Sequence, residues 1–334
     1  MFRDRRRHKF QKVLTSVQNT GHILINEGFN SIDLDVNYRK INVWDTNILR
    51  ECSHRGEDVV PQILLATSII TDQTFVSGAS DFESIHQILD HIVKYHKISA
   101  VIGLGINSYK DSNVEINNLP SSQRFFLDYL LKEQSLIGCR GLETLDFLIA
   151  YGFPRSNLFL TSCPSTQLIQ NTLREIPNNL SRISINGALI NRLDLLESKV
   201  TSETMILAIP QTMDSLSNME RISKFDKRVE IFIPNSYRDW KAKLRKWDTE
   251  LSLGTRFHGN IAAMSLGIPT LFMGGDIRTR ELSQLTGLSF SDDLVEIETA
   301  MEIFKQTSQL DNLERINKSR SQIIEMLGSI ESIS

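Results

Sequence analysis

The sequence of 334 residues is poor in the features on which disulfide scaffolds, fibrous chains and membrane spans depend. Its three cysteines, Cys52, Cys139 and Cys163, are odd in number and widely spaced, with no Cys-x-x-Cys pair. That excludes a disulfide framework and a zinc knuckle, and the thiols read as reduced and mostly structural. Eight prolines and 17 glycines are too few for a collagenous or low-complexity chain. No apolar run approaches the roughly 18 residues of a spanning helix, and no apolar segment follows the N-terminal arginines, so the expected location is cytoplasmic. Charge of neither sign dominates: 37 basic and 40 acidic residues leave a net −3, which gives no field suited to nucleic acid. His86 and His91 stand five apart, about 140° around a helix, where a metal pair stands three or four apart, so no metal site is expected.

What the chain does have is enough apolar surface for real cores, 40% of residues against 23% charged, and a length that suggests two domains. The one local imbalance is at residues 1–12, where Arg3, Arg5, Arg6, Arg7, Lys9 and Lys12 face only Asp4. This arm reads as a solvated terminus or as a foothold for peripheral contact with anionic lipid or polyanionic glycan.

Hydrophobic patterning alternates along the whole sequence. A strand is expected at 10–17, followed by the Asn19-Thr20-Gly21 turn and a helix carrying Ile23, Ile25 and Phe29. A strand at 74–77 leads through Gly78-Ala79-Ser80 into a helix carrying Ile85, Ile88, Leu89, Ile92 and Val93. Strands at 98–104, 136–139 and 157–160 then alternate with helices opening near Pro120-Ser121, with Phe125, Phe126, Tyr129 and Leu130, and at 142–151 with Gly152 as its C-cap. After a polar stretch at 170–179 the cycle restarts with strands at 182–185, 205–209, 229–233, 251–253 and 268–273. Helices are expected at 215–224, 237–247 and 259–266, and a terminal amphipathic helix carries Leu313, Ile316, Ile323, Ile324 and Leu327. Short connections and near-continuous apolar strands predict an α/β protein of two doubly wound, Rossmann-like domains facing a cleft. The expected domains are residues 1–175 and 176–334, the terminal helix packing back on the first.

Chemistry concentrates where the strand ending in Gly254 turns into the apolar segment Ile261 to Leu266. Arg256 and His258 fall at a helix N-terminus, where unsatisfied N–H groups and the helix dipole favour an anion and a guanidinium and imidazole add charged donors. Gly254 and Gly259 allow close approach of backbone to a phosphate or carboxylate. The alternative is a structural histidine satisfied within the turn. Further on, Gly274-Gly275-Asp276-Ile277-Arg278 with Arg280 and Glu281 reads either as a ligand-orienting cluster or as surface ion pairs of Asp276 and Glu281 with Arg278 and Arg280. Gly103-Leu104-Gly105 is not a dinucleotide fingerprint, because Ser108 stands where the third glycine belongs and no acidic ribose ligand follows about 20 residues on. No cofactor is expected.

Gly254-Thr255-Arg256-Phe257-His258-Gly259, then Gly267-Ile268-Pro269, then Asp276-Ile277-Arg278 and Glu281, resemble in type and order the C-terminal signature of polysaccharide pyruvyl transferases. Asn19-Thr20-Gly21 resembles that family's N-terminal turn, and Ile137-Gly138-Cys139-Arg140 with 145–152 resembles its strand, arginine and helix. The sequence departs from the pattern at Gly78-Ala79-Ser80, in place of a glycine pair, and at Cys163-Pro164, in place of Asp-Pro.

The resemblance implies a GT-B-like transferase of exopolysaccharide or capsule biosynthesis. It moves the enolpyruvyl carbons of phosphoenolpyruvate onto two hydroxyls of a saccharide, or of its lipid-linked precursor, as a cyclic ketal. It further implies that His258 and Arg140 contact the donor, Arg140 reaching it from the first domain, with Arg256, Gly259, Asn260, Asn19, Gly21, Asp276, Arg278 and Glu281 as the substrate-binding set. Two guanidinium forks match the phosphate and the carboxylate of such a donor, and His258 is the expected proton shuttle. Without the family, Arg140 reads as a strand-end arginine capping a neighbouring helix. Two other readings stay open. One is a nucleotide-sugar glycosyltransferase with Glu281 on a ribose and the helix terminus on a diphosphate. The other is a glycan-assembly binding protein that keeps the fold without turnover.

Overall fold

The computed structural model describes residues 22–32, 39–42, 62–65, 70–71, 98–107, 115–196, 201–210, 227–274, 277–307 and 309–331. The basic arm, the strand at 10–17, Asn19, Gly21, Cys52, the strand at 74–77 with Gly78 to Ser80, the helix carrying His86 and His91, Ser108, the helix at 215–224 and Asp276 lie outside the described residues.

The first strands are β1 (Arg39–Asn42), β2 (Gln62–Leu65), β3 (Ile70–Thr71), β4 (Ile98–Leu104), β5 (Ile106–Asn107), β6 (Leu136–Cys139) and β7 (Leu158–Leu160). β1, β2, β4, β6 and β7 form one sheet in that order, every pair parallel, and β3 pairs with β5. β4 is buried along its length apart from Ser99, as expected of a strand covered on both faces. The second set is β8 (Arg182–Asn186), β9 (Met205–Ile209), β10 (Val229–Ile231), β11 (Leu251–Gly254), β12 (Thr270–Met273) and β13 (Phe290–Ser291). These form an all-parallel sheet in the order β10-β9-β8-β11-β12-β13. Counted within the sheet this is 3-2-1-4-5-6, the doubly wound order, and the winding reverses between β8 and β11.

The described helices are α1 (His22–Asn30), α2 (Ser121–Lys132), α3 (Leu142–Tyr151), α4 (Tyr237–Trp247), α5 (Phe257–Met264), α6 (Ile277–Thr286), α7 (Ile297–Gln306) and α8 (Gln309–Glu331). Their ends follow local chemistry. α3 stops at Gly152, whose φ of 116° lets its N–H reach the carbonyls of Leu148 and Ile149. α4 starts at Ser236, whose hydroxyl accepts from the N–H of Asp239 at 3.0 Å. Several expected bounds shift. α5 begins at Phe257, two residues early, so His258 sits inside its first turn. β12 begins only at Thr270, after Pro269, which has no N–H to give a ladder. β7 begins at Leu158 because 155–157 close a 3₁₀ turn, and β10 ends at Ile231. On α8, Ile316, Ile323, Leu327 and Ile330 are buried, whereas Ile324 is 46% exposed and off the apolar face. On α2, Phe126 and Leu130 are buried while Phe125 is exposed.

Two compact units result, and neither is a contiguous half of the chain. The first comprises residues 32–164, 276–285 and 315–334, and the second residues 1–31, 165–275 and 286–314. Residues 165–175 therefore go with the second sheet, and part of the reason is visible: the N–H groups of Gln170 and Arg174 donate to the carbonyls of Met264 and Gly267. The first core gathers Leu64, Val101, Leu104, Phe126, Leu130, Ile137 and Leu148, and Ile277 of α6 packs into it. Burying that one isoleucine contributes about 2 kcal/mol to docking α6 on the first sheet. The second core gathers Ile183, Ile185, Ile206, Ala208, Leu251, Leu253, Leu271 and Met273.

Candidate functional site

The second unit carries the motif segment. β8 and β11 are paired neighbours at the reversal of winding, with Asn186 opposite Gly254 in register. At such a reversal the loops leaving the two strands run in opposite directions and open a crevice at their carboxyl ends. Gly254 has φ of 154°, and a Cβ there would run into the carbonyl and side chain of Asn186. Only glycine fits this strand end. On the other side, Gly187 with φ of 64° receives Thr255, whose Oγ1 accepts from the N–H of Ala188 at 3.0 Å. The two strand ends are thus keyed into each other.

Arg256 is the N-cap residue of α5, with φ of −95° and ψ of 115°, and its own side chain makes no cap bond. Its N–H donates instead to Asn186 Oδ1 at 2.8 Å. Phe257 is buried and stacks on Phe272 of β12 with ring centroids 5.1 Å apart. His258, next in the chain, meets the edge of Phe257 at 5.7 Å and 87°. With Phe257 drawn inward, Arg256 and His258 remain half-buried at the head of the helix, while Gly259 is buried.

Asn260 is placed differently from expectation. It is 0% exposed, and its oxygen accepts from Asn186 Nδ2 at 2.8 Å and Ser252 Oγ at 3.1 Å. Its amide nitrogen donates to the carbonyls of Gly254 at 3.1 Å and Leu271 at 3.3 Å. All four hydrogen-bonding positions of this amide are used inside the unit, so Asn260 holds the turn in place and offers nothing to a ligand. Asn186 is the residue that sequence reasoning passed over. Asn186-Gly187 at a strand end is a turn signal that pointed to it.

The first unit holds Arg140, Arg278 and Glu281. Arg140 follows β6, its N–H donating to the carbonyl of Leu104 at 2.8 Å, and its side chain lies across Gly105, where a Cβ would come within 3.1 Å of Cδ. It is 3% exposed. Glu281 of α6 is 2% exposed and accepts from the N–H and the hydroxyl of Thr144, each at 3.1 Å. The Thr144 hydroxyl in turn accepts from the N–H of Ile106 at 3.2 Å. Glu281 also fills the space in which Gly141 would carry a Cβ. The N-terminus of α3 is therefore capped by a carboxylate from α6. This corrects both expected roles of Glu281: it neither pairs with Arg278 or Arg280 on the surface nor presents itself to a substrate. Burial pushes its carboxyl up to about 7, against the opposing effects of the Thr144 hydrogen bonds and the Arg140 charge. Arg280 lies 3.5 Å from Glu143 instead, and Arg278 is half-buried in the first turn of α6. Burial raises the thiol of Cys139 well above its usual range, in keeping with a structural cysteine, and Cys139 and Cys163 are both buried and unbridged. Among the described residues no helix is long and apolar enough to cross a membrane.

Two parallel sheets, the second of them doubly wound, place the chain in the GT-B class of folds. S. aureus MnaA, in its UDP co-structure, superposes with a TM-score of 0.50 at 10% identity, covering 86% of this chain and 78% of that one. The UDP-GlcNAc 2-epimerase of Neisseria meningitidis, bound to UDP-GlcNAc, gives 0.47 at 12% identity over 87% of this chain and 100% of that one. Anabaena HepE, in complex with UDP and glucose, gives 0.44 at 10% identity over 93% of each chain. Among curated proteins none matches. The polysaccharide pyruvyl transferase family model matches residues 19–276, and the chain belongs to that family.

Proposed function

We propose that the protein transfers the enolpyruvyl group of phosphoenolpyruvate to two hydroxyls of a saccharide, or of its lipid-linked precursor, forming a pyruvate ketal in exopolysaccharide or capsule assembly. The observation that carries the proposal is the half-buried pair Arg256 and His258 at the head of α5, at the reversal of winding, in a chain of this family. A helix head beside a guanidinium and an imidazole suits a substrate with both a phosphate and a carboxylate.

In this proposal a proton goes to C3 of the donor, a sugar hydroxyl adds to C2, phosphate leaves, and the second hydroxyl closes the ketal at the same carbon. Both hydroxyl protons must be taken up and C3 must gain one, so a group that alternates between acid and base is required, and His258 is assigned that role. Arg256 and the helix head stabilise the charge that gathers on the departing phosphate. No cofactor enters the scheme. The nucleotide-sugar alternative is weakened at its ribose ligand, because Glu281 is 2% exposed and turned to Thr144.

The test is phosphate release from phosphoenolpyruvate in the presence of fractionated exopolysaccharide or capsular repeat units. Wild type is expected to release phosphate and His258→Ala to lose about 10²- to 10⁴-fold in kcat. Thermal stabilisation by uridine diphosphate and none by phosphoenolpyruvate sends the assignment to the glycosyltransferase reading. Binding without release across the acceptor panel sends it to a non-catalytic one.

A further inference from the structure

We infer that Asn186 is a positioning residue of the donor turn, fixing the backbone of Arg256 so that its guanidinium and His258 meet the substrate's anionic groups; this rests on the donor-site reading above.

A helix head leaves several N–H groups without partners, and the usual remedy is a Ser, Thr, Asp or Asn at the N-cap itself. Here the N-cap is Arg256, whose side chain accepts nothing. The cap residue's own backbone is instead held from the neighbouring strand: Asn186 Oδ1 takes the Arg256 N–H at 2.8 Å. This arrangement leaves an arginine at the N-cap, where its charge stands beside the helix head.

The rest of Asn186 is equally committed. Nδ2 donates to Asn260 Oδ1 at 2.8 Å and more weakly to the Leu253 carbonyl at 3.4 Å, and the residue is 1% exposed. Asn260 reaches back to the Gly254 carbonyl, so a ring of contacts links the ends of β8 and β11 with the first turn of α5. Gly254 lacks a Cβ where the Asn186 side chain lies, and Gly187 lacks one where Thr255 and Arg256 Cγ lie. Both residues flanking the reversal of winding are thereby shaped to one position of Arg256. Ser252 Oγ donates to the same Asn260 oxygen at 3.1 Å and does not take part in the bond that holds the Arg256 amide, and so supplies an internal control.

The experiment compares Asn186→Ala with Ser252→Ala by thermal melting, by hydrogen exchange over residues 254–258, and by the steady-state kinetics of phosphoenolpyruvate. Both variants are expected to melt lower. Only Asn186→Ala is expected to speed exchange at the Arg256 amide and to raise the KM for phosphoenolpyruvate, by about 10- to 100-fold, with a smaller change in kcat. Ser252→Ala is expected to keep KM within about twofold of wild type. If Asn186→Ala does not accumulate folded, Asn186→Ser, whose hydroxyl is too short to reach Arg256, takes its place. Equal KM changes in the two variants, or faster exchange at Arg256 with KM unchanged, overturn the inference. A wild type that responds to uridine diphosphate or inorganic phosphate but not to phosphoenolpyruvate fails the donor reading alone. Loss of that response in Asn186→Ala and not in Ser252→Ala then still supports Asn186, and retention in both overturns it. A wild type that responds to none of the three overturns the donor site and the role of Asn186 together.

Discussion

Arg140 and Arg256 look alike in sequence and occupy opposite kinds of place. Each follows a buried parallel strand and stands just before a helix, Arg140 ahead of α3 and Arg256 at the cap of α5. Among the described strands the first sheet runs in simple sequence order, β1-β2-β4-β6-β7, so connections around β6 wind one way. There Arg140 is 3% exposed, and the helix head beside it is already filled by Glu281. The second sheet reverses its winding at β8 and β11, and Arg256 and His258 at that reversal are half-buried rather than enclosed. Both helix heads favour an anion. In the first unit the protein supplies it from its own chain, and in the second the head itself carries charged donors. Topology, more than residue type, decides which arginine is offered to solvent.

The largest expected effect separates the two arginines by stability. Arg140→Met removes a buried guanidinium packed across Gly105 whose charge favours the ionised Glu281, and is expected to cost on the order of 3 kcal/mol at pH 8, shrinking below pH 6 as the carboxyl protonates. Arg256→Met, at a half-buried position, is expected to cost less than about 1 kcal/mol while lowering kcat/KM. Urea unfolding at the two pH values measures the first quantity, and phosphate release measures the second. Equal destabilisation by both substitutions would erase the difference between the two arginines. If Arg140→Met kept its stability and lost only activity, Arg140 would become the donor contact implied by family resemblance.

Next in size is the pH dependence of Glu281. Its carboxyl ionises near 4.5 in the unfolded chain and at about 7 in the folded one, so between those values the folded state holds more of its proton. The associated stability is fully present below pH 4.5 and is lost as pH rises through 7, a change of about 3 kcal/mol. Glu281→Gln carries no charge to bury and is expected to flatten that part of the profile in denaturant titrations between pH 4.5 and 8. A wild-type profile with no decline over this range would mean that the carboxylate is better solvated than its 2% exposure implies.

Most of the architecture was legible because it rests on local patterning. The strands at 98–104, 136–139 and 205–209, the helices at 142–151 and 237–247 and the cap at Gly152 coincide with expectation, each set by an apolar run or period bounded by glycine or a polar cap. The turn from Gly254 to Gly259 was legible as structure for the same reason, since two glycines around an arginine and a histidine describe a helix head directly. What stayed hidden depends on long-range packing. Nothing near Glu281 in sequence announces Thr144, 137 positions away, and Asn186 meets Arg256 across 70 positions. Asn260 appeared to be a ligand contact because a polar residue in a motif helix shows no sign of its partners until Ser252, Asn186, Gly254 and Leu271 are brought around it. The discontinuous units were hidden too, because the segment 276–285 follows the second sheet in sequence while Ile277 is drawn into the first core.

The smallest expected effect tests whether Glu281 and its neighbour Arg280 really differ, as one helix carries both. Arg280 approaches Glu143 at 3.5 Å with both side chains partly exposed, a geometry in which water and side-chain entropy offset most of the attraction. Arg280→Ala is therefore expected to cost only about 0 to 1 kcal/mol, and raising the salt from about 0.05 to 0.5 M should remove most of that by screening. The Glu281 contribution, enclosed and bonded to Thr144, should be nearly indifferent to the same change. Unfolding free energies of Arg280→Ala and Glu281→Gln at the two salt concentrations decide the matter. A large, salt-insensitive loss in Arg280→Ala would show that Arg280, rather than Glu281, anchors α6 to the head of α3, and the buried carboxylate would then lose its place as the internal anion of the first unit.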